Sequence, residues 1–539
     1  MSAAAVALDW RKISAYSDKM GPKANYPTVI IGAGLGGLCC GAFLAKQGVP
    51  VTLIEQHNIP GGYATAFDRA EGSFTFDVSL HGIAIHNNAT ERILNELGVL
   101  KELDIVKLPE IFRQMGPDVD FTIQQHPEHF ISFLTSRFPS EEQGIRRFFD
   151  KIARISEEVN KLHKKDGKFF ILFFPFQYKN MWNVRNTSLA DLLNQYTQNR
   201  ELQNFLASFW AGFGLPPSKL SAFYYSVAVG DYLKNGAYYI KNNSQTLSNK
   251  LAEIIMAHNG KIIFETRVEK ILVQNKRVAG VKLDNGDTLS AKAVVSNSNI
   301  ISTFTKMIPQ KHVPQDYLRK INACKPSLSS FVVWLGLNRE LKGKIKAYCT
   351  HVESGQDPEQ GYLANLNGDV KNGPYSVTIY DNLYKGYSMP GKTTVALLFF
   401  CGYEPWKKFE EDYKREIKTD YYAEKQKWTD ILIHRTEKLV IPGLSQMIEV
   451  QESATPLTNW RFTGNPNGAI YGSELTPENT FISRIKNRTP VKGLYLAGAW
   501  GYPGGGYSGV LLGSQNTFKC MMKDWASEQE MQGELISPV

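Results

Sequence analysis

The chain has 539 residues, of which 43% are hydrophobic and 21% charged, proportions that exclude a disordered protein and leave length for two or three domains' worth of core. Its net charge of +9 comes largely from scattered lysine. With no basic–aromatic repeat and no zinc-ligand spacing, nucleic acid is excluded as a partner.

Residues 1–26 form a polar lead-in that lacks the continuous apolar core of a signal peptide. The stretch TVIIGAGLGGLCCGAFLAKQGVPVTLIEQ (28–56) then predicts strand, glycine turn, helix and strand: β-branched VII, small and apolar residues at helical spacing, then VTLIE. From about 90 to 240 the pattern is mostly helical, with aromatic clusters at KFFILFFPFQYKNMW and FWAGFGLPPSKLSAFYY. A helix is predicted at TLSNKLAEIIMAHNG. A meander follows from 261 to 297, with turns at QNKR and DNGD between alternating apolar runs. Residues 325–402 alternate again and predict a second antiparallel sheet; 405–440 predict a charged helix. The chain closes with GLYLAGAWGYPGGGYSG (493–509), a strand, a glycine knot and a helix start. No stretch reaches the ~18 apolar residues of a spanning helix. The six cysteines (39, 40, 324, 349, 401, 520) form no CxxC pair, so a reducing, cytoplasmic setting is expected, with membrane contact at most peripheral.

Gly32, Gly34 and Gly37 form a G-x-G-x-x-G that follows a strand and opens a helix, and Glu55 ends the next strand 18 residues beyond Gly37. That context makes it a dinucleotide fingerprint. The first glycine permits the tight turn, the second admits a pyrophosphate to the backbone, and the third lets the helix pack closely on the sheet. The helix N-terminus offers free N–H groups to phosphates, and Glu55 can accept hydrogen bonds from a ribose. Gly61 and Gly62, just beyond, resemble the second glycine motif of FAD enzymes in the amine oxidase and phytoene desaturase superfamily, with Tyr63 where arginine is frequent.

The resemblance continues along most of the chain. The meander is similar to the family's central strands, which places Val268 where a backbone amide and carbonyl hold the adenine. TPLTNWRFTGNPNGAIYG (455–472) resembles the segment before the last cofactor motif of phytoene desaturases, carotenoid isomerases and retinol saturases. The closing motif supplies Gly498, Gly505, Gly506, Gly509 and Val510. FDVSLHG (76–82) resembles the FD-x-G-x-H passage of the isomerase and saturase branches, with Ser79 for a glycine. Asn242 and Asn243 replace a usual glycine pair before a helix, and asparagine is the next best residue at left-handed angles.

The resemblance implies an α/β fold: a Rossmann-type FAD-binding domain built from 26–110, 241–310 and 455–530. A helical substrate region (111–240) and a substrate domain of antiparallel sheet and helices (311–454) complete it. It implies FAD, and an oxidoreductase that desaturates, saturates or isomerises carbon–carbon bonds of a long isoprenoid such as a carotenoid or retinoid. FDVSLHG tilts this toward isomerase or saturase. His81 is the candidate catalytic residue, because the resemblance sets its segment beside the cofactor and imidazole transfers protons near neutral pH. No residue set has metal-ligand spacing. The alternatives are a flavin amine oxidase-like enzyme and a non-catalytic, flavin-stabilised lipid-binding protein.

The aromatics Phe169, Phe170, Phe173, Phe174, Phe176, Tyr178, Trp182, Phe209, Trp210, Phe213, Phe223, Tyr224 and Tyr225 offer an apolar tunnel, although domain core is the plainer reading of any one of them. In 164–179, Lys164, Lys165, Lys168 and Lys179 flank the apolar run. That is the composition of a segment entering an anionic bilayer interface.

Overall fold

The computed structural model describes residues 27–531, apart from Leu80, Asp118, 163–174, Lys342, Lys346, Ser354, Gln356, Lys385 and 481–482. A five-stranded parallel sheet is assembled from three distant parts of the chain, in the order Leu494–Leu496, Ala293–Ser296, Thr28–Ile31, Val51–Ile54, Lys261–Ile263. Thr28 pairs with both Ala293 and Val51, and the central strand is buried along its whole length. Such strands read as continuous apolar runs because both faces are covered. The helix Leu35–Lys46, buried from Leu35 to Ala45, lies against the helices Ser244–Ala257 and Tyr507–Met531, with the Phe43 and Phe518 rings stacked at 5.2 Å.

Gly37 sets how closely that helix approaches the sheet. A Cβ there would lie 2.1 Å from the Gly32 carbonyl oxygen and 3.2 Å from the Ile30 side chain.

The meander divides. Its outer strands, Lys261–Ile263 and Ala293–Ser296, join the parallel sheet, while Val268–Gln274, Arg277–Leu283 and Thr288–Ser290 pair among themselves. A seven-stranded sheet follows in the order Ile448–Ala454, Ser329–Leu337, Thr393–Cys401, Tyr375–Ile379, Cys349–Val352, Phe112–Gly116, Val119–Ile123. Its last two strands come from a stretch whose pattern predicts helix. Gly116-Pro117 turns them into a hairpin, and Cys349–Val352 takes up the hairpin in parallel. One sheet face packs Phe331, Val333, Leu335, Leu397 and Phe399 against Trp406, Trp428 and Leu432. The charged stretch after 405 is not one helix but three, Glu404–Lys407, Glu410–Lys414 and Thr419–Leu439.

Asn242 and Asn243 both have positive φ, 65° and 76°. Asn243 caps the helix Ser244–Ala257 by accepting a hydrogen bond from Gln245 N at 3.0 Å. The glycine-pair turn is therefore kept, with a cap that glycine could not supply.

Gly37→Ala is expected to cost about 1–3 kcal/mol of stability, the usual range for overpacking, and to deplete bound flavin. Urea denaturation and flavin absorbance of the purified variant measure both; parent-like values would show that the helix has room to shift.

Candidate active site

A cavity of about 1210 Å³ lies between the two large sheets. Strands of the parallel sheet deliver Gly32, Glu55, Asn297 and Gly498 into it within two residues of their C-terminal ends, where open α/β sheets bind ligands. It also receives Gly34, Gly61, Gly62, Val268, Gly505, Gly506, Gly509, Val510 and His81. Gly37 does not line it and serves the packing described above. The volume exceeds the ~300–1,000 Å³ of a typical single-ligand pocket, so the cavity has room for two occupants.

At the fingerprint end, Gly61 N donates to Ala33 O at 2.7 Å and so lays the second glycine motif along the first. Glu55 accepts from Ala33 N (2.6 Å) and His57 N (2.8 Å). Burial pushes its carboxyl above the usual range, against those backbone bonds. Gly34, the N-cap of the helix Leu35–Lys46, has no side chain to satisfy the first-turn amides, which are left for a ligand. Asn297 ties this end to the chain's close. Its backbone N donates to Ile31 O (2.9 Å) and its Nδ2 to Gly32 O (3.2 Å). A Cβ on Gly498, which has φ +82°, would sit 2.3 Å from its Oδ1.

At the other end, the seven-stranded sheet forms a floor whose register sets two cross-strand rows. His351, Ser376, Leu398 and Val332 make one; Cys349, Thr378, Ala396 and Trp334 make the other. Of the aromatics singled out in the sequence, Phe209, Phe213, Phe223 and Tyr224 line the cavity. Trp210 and Tyr225 are core, Phe176 is 82% exposed, and Phe169, Phe170, Phe173 and Phe174 lie outside the described residues.

His81 is held between floor and core. Its Nδ1 lies 3.2 Å from Thr378 Oγ1 and 3.3 Å from Tyr380 Oη, and Tyr348 Oη donates to its carbonyl at 2.6 Å. Burial pulls its pKa down to about 4. At neutral pH it is an uncharged imidazole that can hydrogen-bond or accept a proton, not an imidazolium acid. Asp77 anchors the segment. It is 1% exposed and accepts from Tyr239 Oη (2.8 Å), Ser244 N (2.9 Å) and Ser244 Oγ (2.8 Å), a carboxylate at a helix N-terminus.

The profile of flavin-containing amine oxidoreductases matches residues 35–517. The chain belongs to that family. Among relatives of this flavoprotein, the all-trans-retinol 13,14-reductase of Danio rerio is 26% identical over 511 residues, 87% of this chain and 82% of that one. The chloroplastic prolycopene isomerase of Daucus carota is 25% identical over 514 residues, 91% and 80% of the two chains. An oxidoreductase from Methanosarcina mazei shares the fold with TM-score 0.56 and 17% identity, over 92% of this chain and all of that one. Cyclohexylamine oxidase from Brevibacterium oxydans does so with TM-score 0.58 and 15% identity, over 93% and 100%.

The cofactor of this flavoprotein is FAD, and the residues present fit it. The Tyr63 hydroxyl faces the cavity from the second glycine motif, buried and without a hydrogen bond of proper geometry, although it lies near Thr463. A diphosphate or ribityl oxygen would satisfy it, in place of the arginine of related sequences. Gly506 lines the cavity with φ +78° and open space where a Cβ would stand.

Three further site residues carried no signal in the sequence. Asn297 looks like any residue after a strand. Asp77 lies in FDVSLHG with His81, and nothing in the sequence marks it as a buried anchor. Arg484, 1% exposed, donates to the carbonyls of Gly501 (2.8 Å), Ala499 (2.8 Å) and Asn479 (3.2 Å). It shapes the loop before the glycine knot, yet FISRIKNR reads as an ordinary basic surface.

Glu55→Gln loses one acceptor against the two backbone donors and is expected to weaken FAD binding about tenfold, a typical charged hydrogen-bond loss, measured by titration of the apoprotein. The neutral, half-buried His81 also gives stability a pH dependence. Its folded pKa is depressed, so the unfolded chain binds the extra proton, and stability falls as pH drops from about 6.5 toward about 4. Between pH 7 and 5 this amounts to about 2 kcal/mol. His81→Asn should lose that much less than the parent in urea titrations at the two pH values.

Proposed function

We propose that the protein is an FAD-dependent oxidoreductase that saturates or isomerises carbon–carbon double bonds of a long apolar polyene of the isoprenoid type. The observation that carries this is the continuity of the cavity, which runs from the glycine motifs onto an aromatic and aliphatic floor. FAD supplies hydride chemistry. Gly32, Gly34, Glu55, Gly61, Gly62 and Val268 would hold its adenosine and diphosphate side, while Gly498, Gly505, Gly506, Gly509 and Val510 would hold the flavin side. Phe209, Phe213, Phe223, Leu398 and Val332 exclude water around the substrate. At ~25 cal/mol per Å², burying about 400 Å² of polyene contributes a gross ~10 kcal/mol, so affinity needs no charged anchor.

His81 is proposed to contact the reacting end of the polyene. Its neutral ring, fixed by Thr378 and Tyr380, can hydrogen-bond to the substrate without burying a charge. Relatives spanning nearly the whole chain are named for retinol and prolycopene, whereas cyclohexylamine oxidase matches at the level of fold. This favours the polyene reading over amine oxidation.

Anaerobic incubation of oxidised and dithionite-reduced holoenzyme with a panel of polyenes, followed by chromatography and mass spectrometry, tests the assignment. Saturation raises product mass by two hydrogens, and isomerisation leaves mass unchanged while shifting absorbance. A flavin bleached by amines and indifferent to every polyene would sink the proposal. In the active assay, His81→Ala should retain FAD and lose about 10²-fold in turnover.

Among the described residues, no helix is long and apolar enough to cross a membrane. The segment 164–179 is proposed to make a peripheral contact. Most of it lies outside the described residues, but Val159, Asn160 and Met181 on either side line the cavity, and Lys179 is exposed. A substrate drawn from a bilayer would then enter beside its source. Co-sedimentation with anionic vesicles at low salt, lost when Lys164, Lys165, Lys168 and Lys179 become glutamate, is the expected result.

A further inference from the structure

A hydrocarbon chain can slide along an apolar cavity, so acting on one double bond among several requires a fixed end. The sheet floor is graded in a way that could provide one. The strands Ser329–Leu337 and Thr393–Cys401 present Val332, Trp334 and Leu398, while the next two across the sheet, Tyr375–Ile379 and Cys349–Val352, present Ser376, His351 and Cys349. His351 and Ser376 are cross-strand partners, a spacing of about 5 Å between Cβ atoms.

The His351 ring stacks on Phe112 with centroids 4.1 Å apart and planes 11° from parallel, which fixes its orientation. Its Nδ1 is buried without a hydrogen-bond partner, although the residue lines the cavity. A buried polar group left unmatched is costly and calls for a partner.

Several other polar groups of this region are already engaged, Gln114 Oε1 and Tyr224 Oη excepted. His81 Nδ1 meets Thr378 and Tyr380. Asp231 accepts from Asn88 and Asn235, and Tyr232 Oη donates to Gly82 O. Burial, reinforced by the neighbouring His81, pulls His351 down to about 4, and burial pushes the Cys349 thiol up to about 12. His351 and Cys349 are thus polar and uncharged at neutral pH. A carboxylate would lose its hydration beside them without a counter-charge, whereas a hydroxyl or carbonyl would lose little.

We propose that His351, with Ser376 beside it, binds a neutral terminal oxygen of the polyene, a hydroxyl or a carbonyl, and so sets which double bond lies at the reaction centre. The proposal rests on the polyene reading above and names the substrate class within it: polyene alcohols or carbonyl compounds rather than hydrocarbons or acids.

The test compares the parent holoenzyme with His351→Phe, which can keep the stacking on Phe112, and His351→Gln, which keeps a hydrogen-bonding side chain. Each is assayed with an all-trans polyene alcohol, the hydrocarbon of equal length and the matching acid, with flavin content and product positions recorded. The parent should prefer the alcohol. His351→Phe should raise KM for the alcohol about fivefold to tenfold, the worth of a hydrogen bond, leave the hydrocarbon's KM unchanged, and scatter the products over more than one double bond. His351→Gln should recover most of the difference. Ser376→Ala carries the same comparison if the phenylalanine variant loses its flavin. Equal effects on alcohol and hydrocarbon, no effect on either, or a parent preference for the acid would overturn the head-group role with the polyene reading intact. A parent that turns over no polyene would overturn both.

Discussion

The site depends on one side chain that keeps two remote glycine passages in contact. Asn297 ends the strand Ala293–Ser296, which pairs with Thr28–Ile31 on one side and Leu494–Leu496 on the other. Its amide reaches Gly32 O, and its Oδ1 occupies the space that side chains on Gly36 and Gly498 would need. Glycine at those positions is therefore a packing requirement. Ser514 Oγ, from the closing helix, adds a bond to Gly36 O at 2.9 Å. The first glycine passage is in this way tied to the closing helix of the chain.

A second constraint transmits that order to the substrate end. Asp77 joins the N-terminus of the helix Ser244–Ala257 and the Tyr239 hydroxyl through its carboxylate. Its carbonyl accepts from Trp334 Nε1 in the floor sheet at 2.9 Å. His81, four residues on, is thus positioned by the helix Ser244–Ala257 and the floor sheet together. The same sheet keeps one face for its own core and one for the cavity, because side chains alternate along each strand. The polarity of the cavity floor is then a matter of which strand faces which part of the cavity.

Much of this was legible in the sequence, and for a reason. Strand–glycine–helix passages are local: the Gly32–Gly37 turn, the acidic residue ending the second strand and the closing glycines are set by backbone geometry within a few residues. Asn242 and Asn243 show the same legibility, since their tolerance of positive φ kept the turn. The hairpin Phe112–Gly116/Val119–Ile123 was missed because its strands are short and gain their partner from Cys349–Val352, more than 200 residues away. The helix expected after 405 breaks into three because aromatic residues there, Trp406 among them, turn into the sheet's far core and override a periodic charge pattern.

By itself, the sequence determined the cofactor class, the α/β architecture and the family, because these rest on motifs whose physics is local and whose order along the chain is their own evidence. Only the tertiary structure decided what faces what. It set Asn297 between two glycine motifs, buried Arg484 beneath the closing loop, and made His81 neutral by taking water away from it. It also brought His351 onto the polar edge of the cavity floor. These are consequences of long-range register and burial, in which a residue's chemistry follows from neighbours hundreds of positions away.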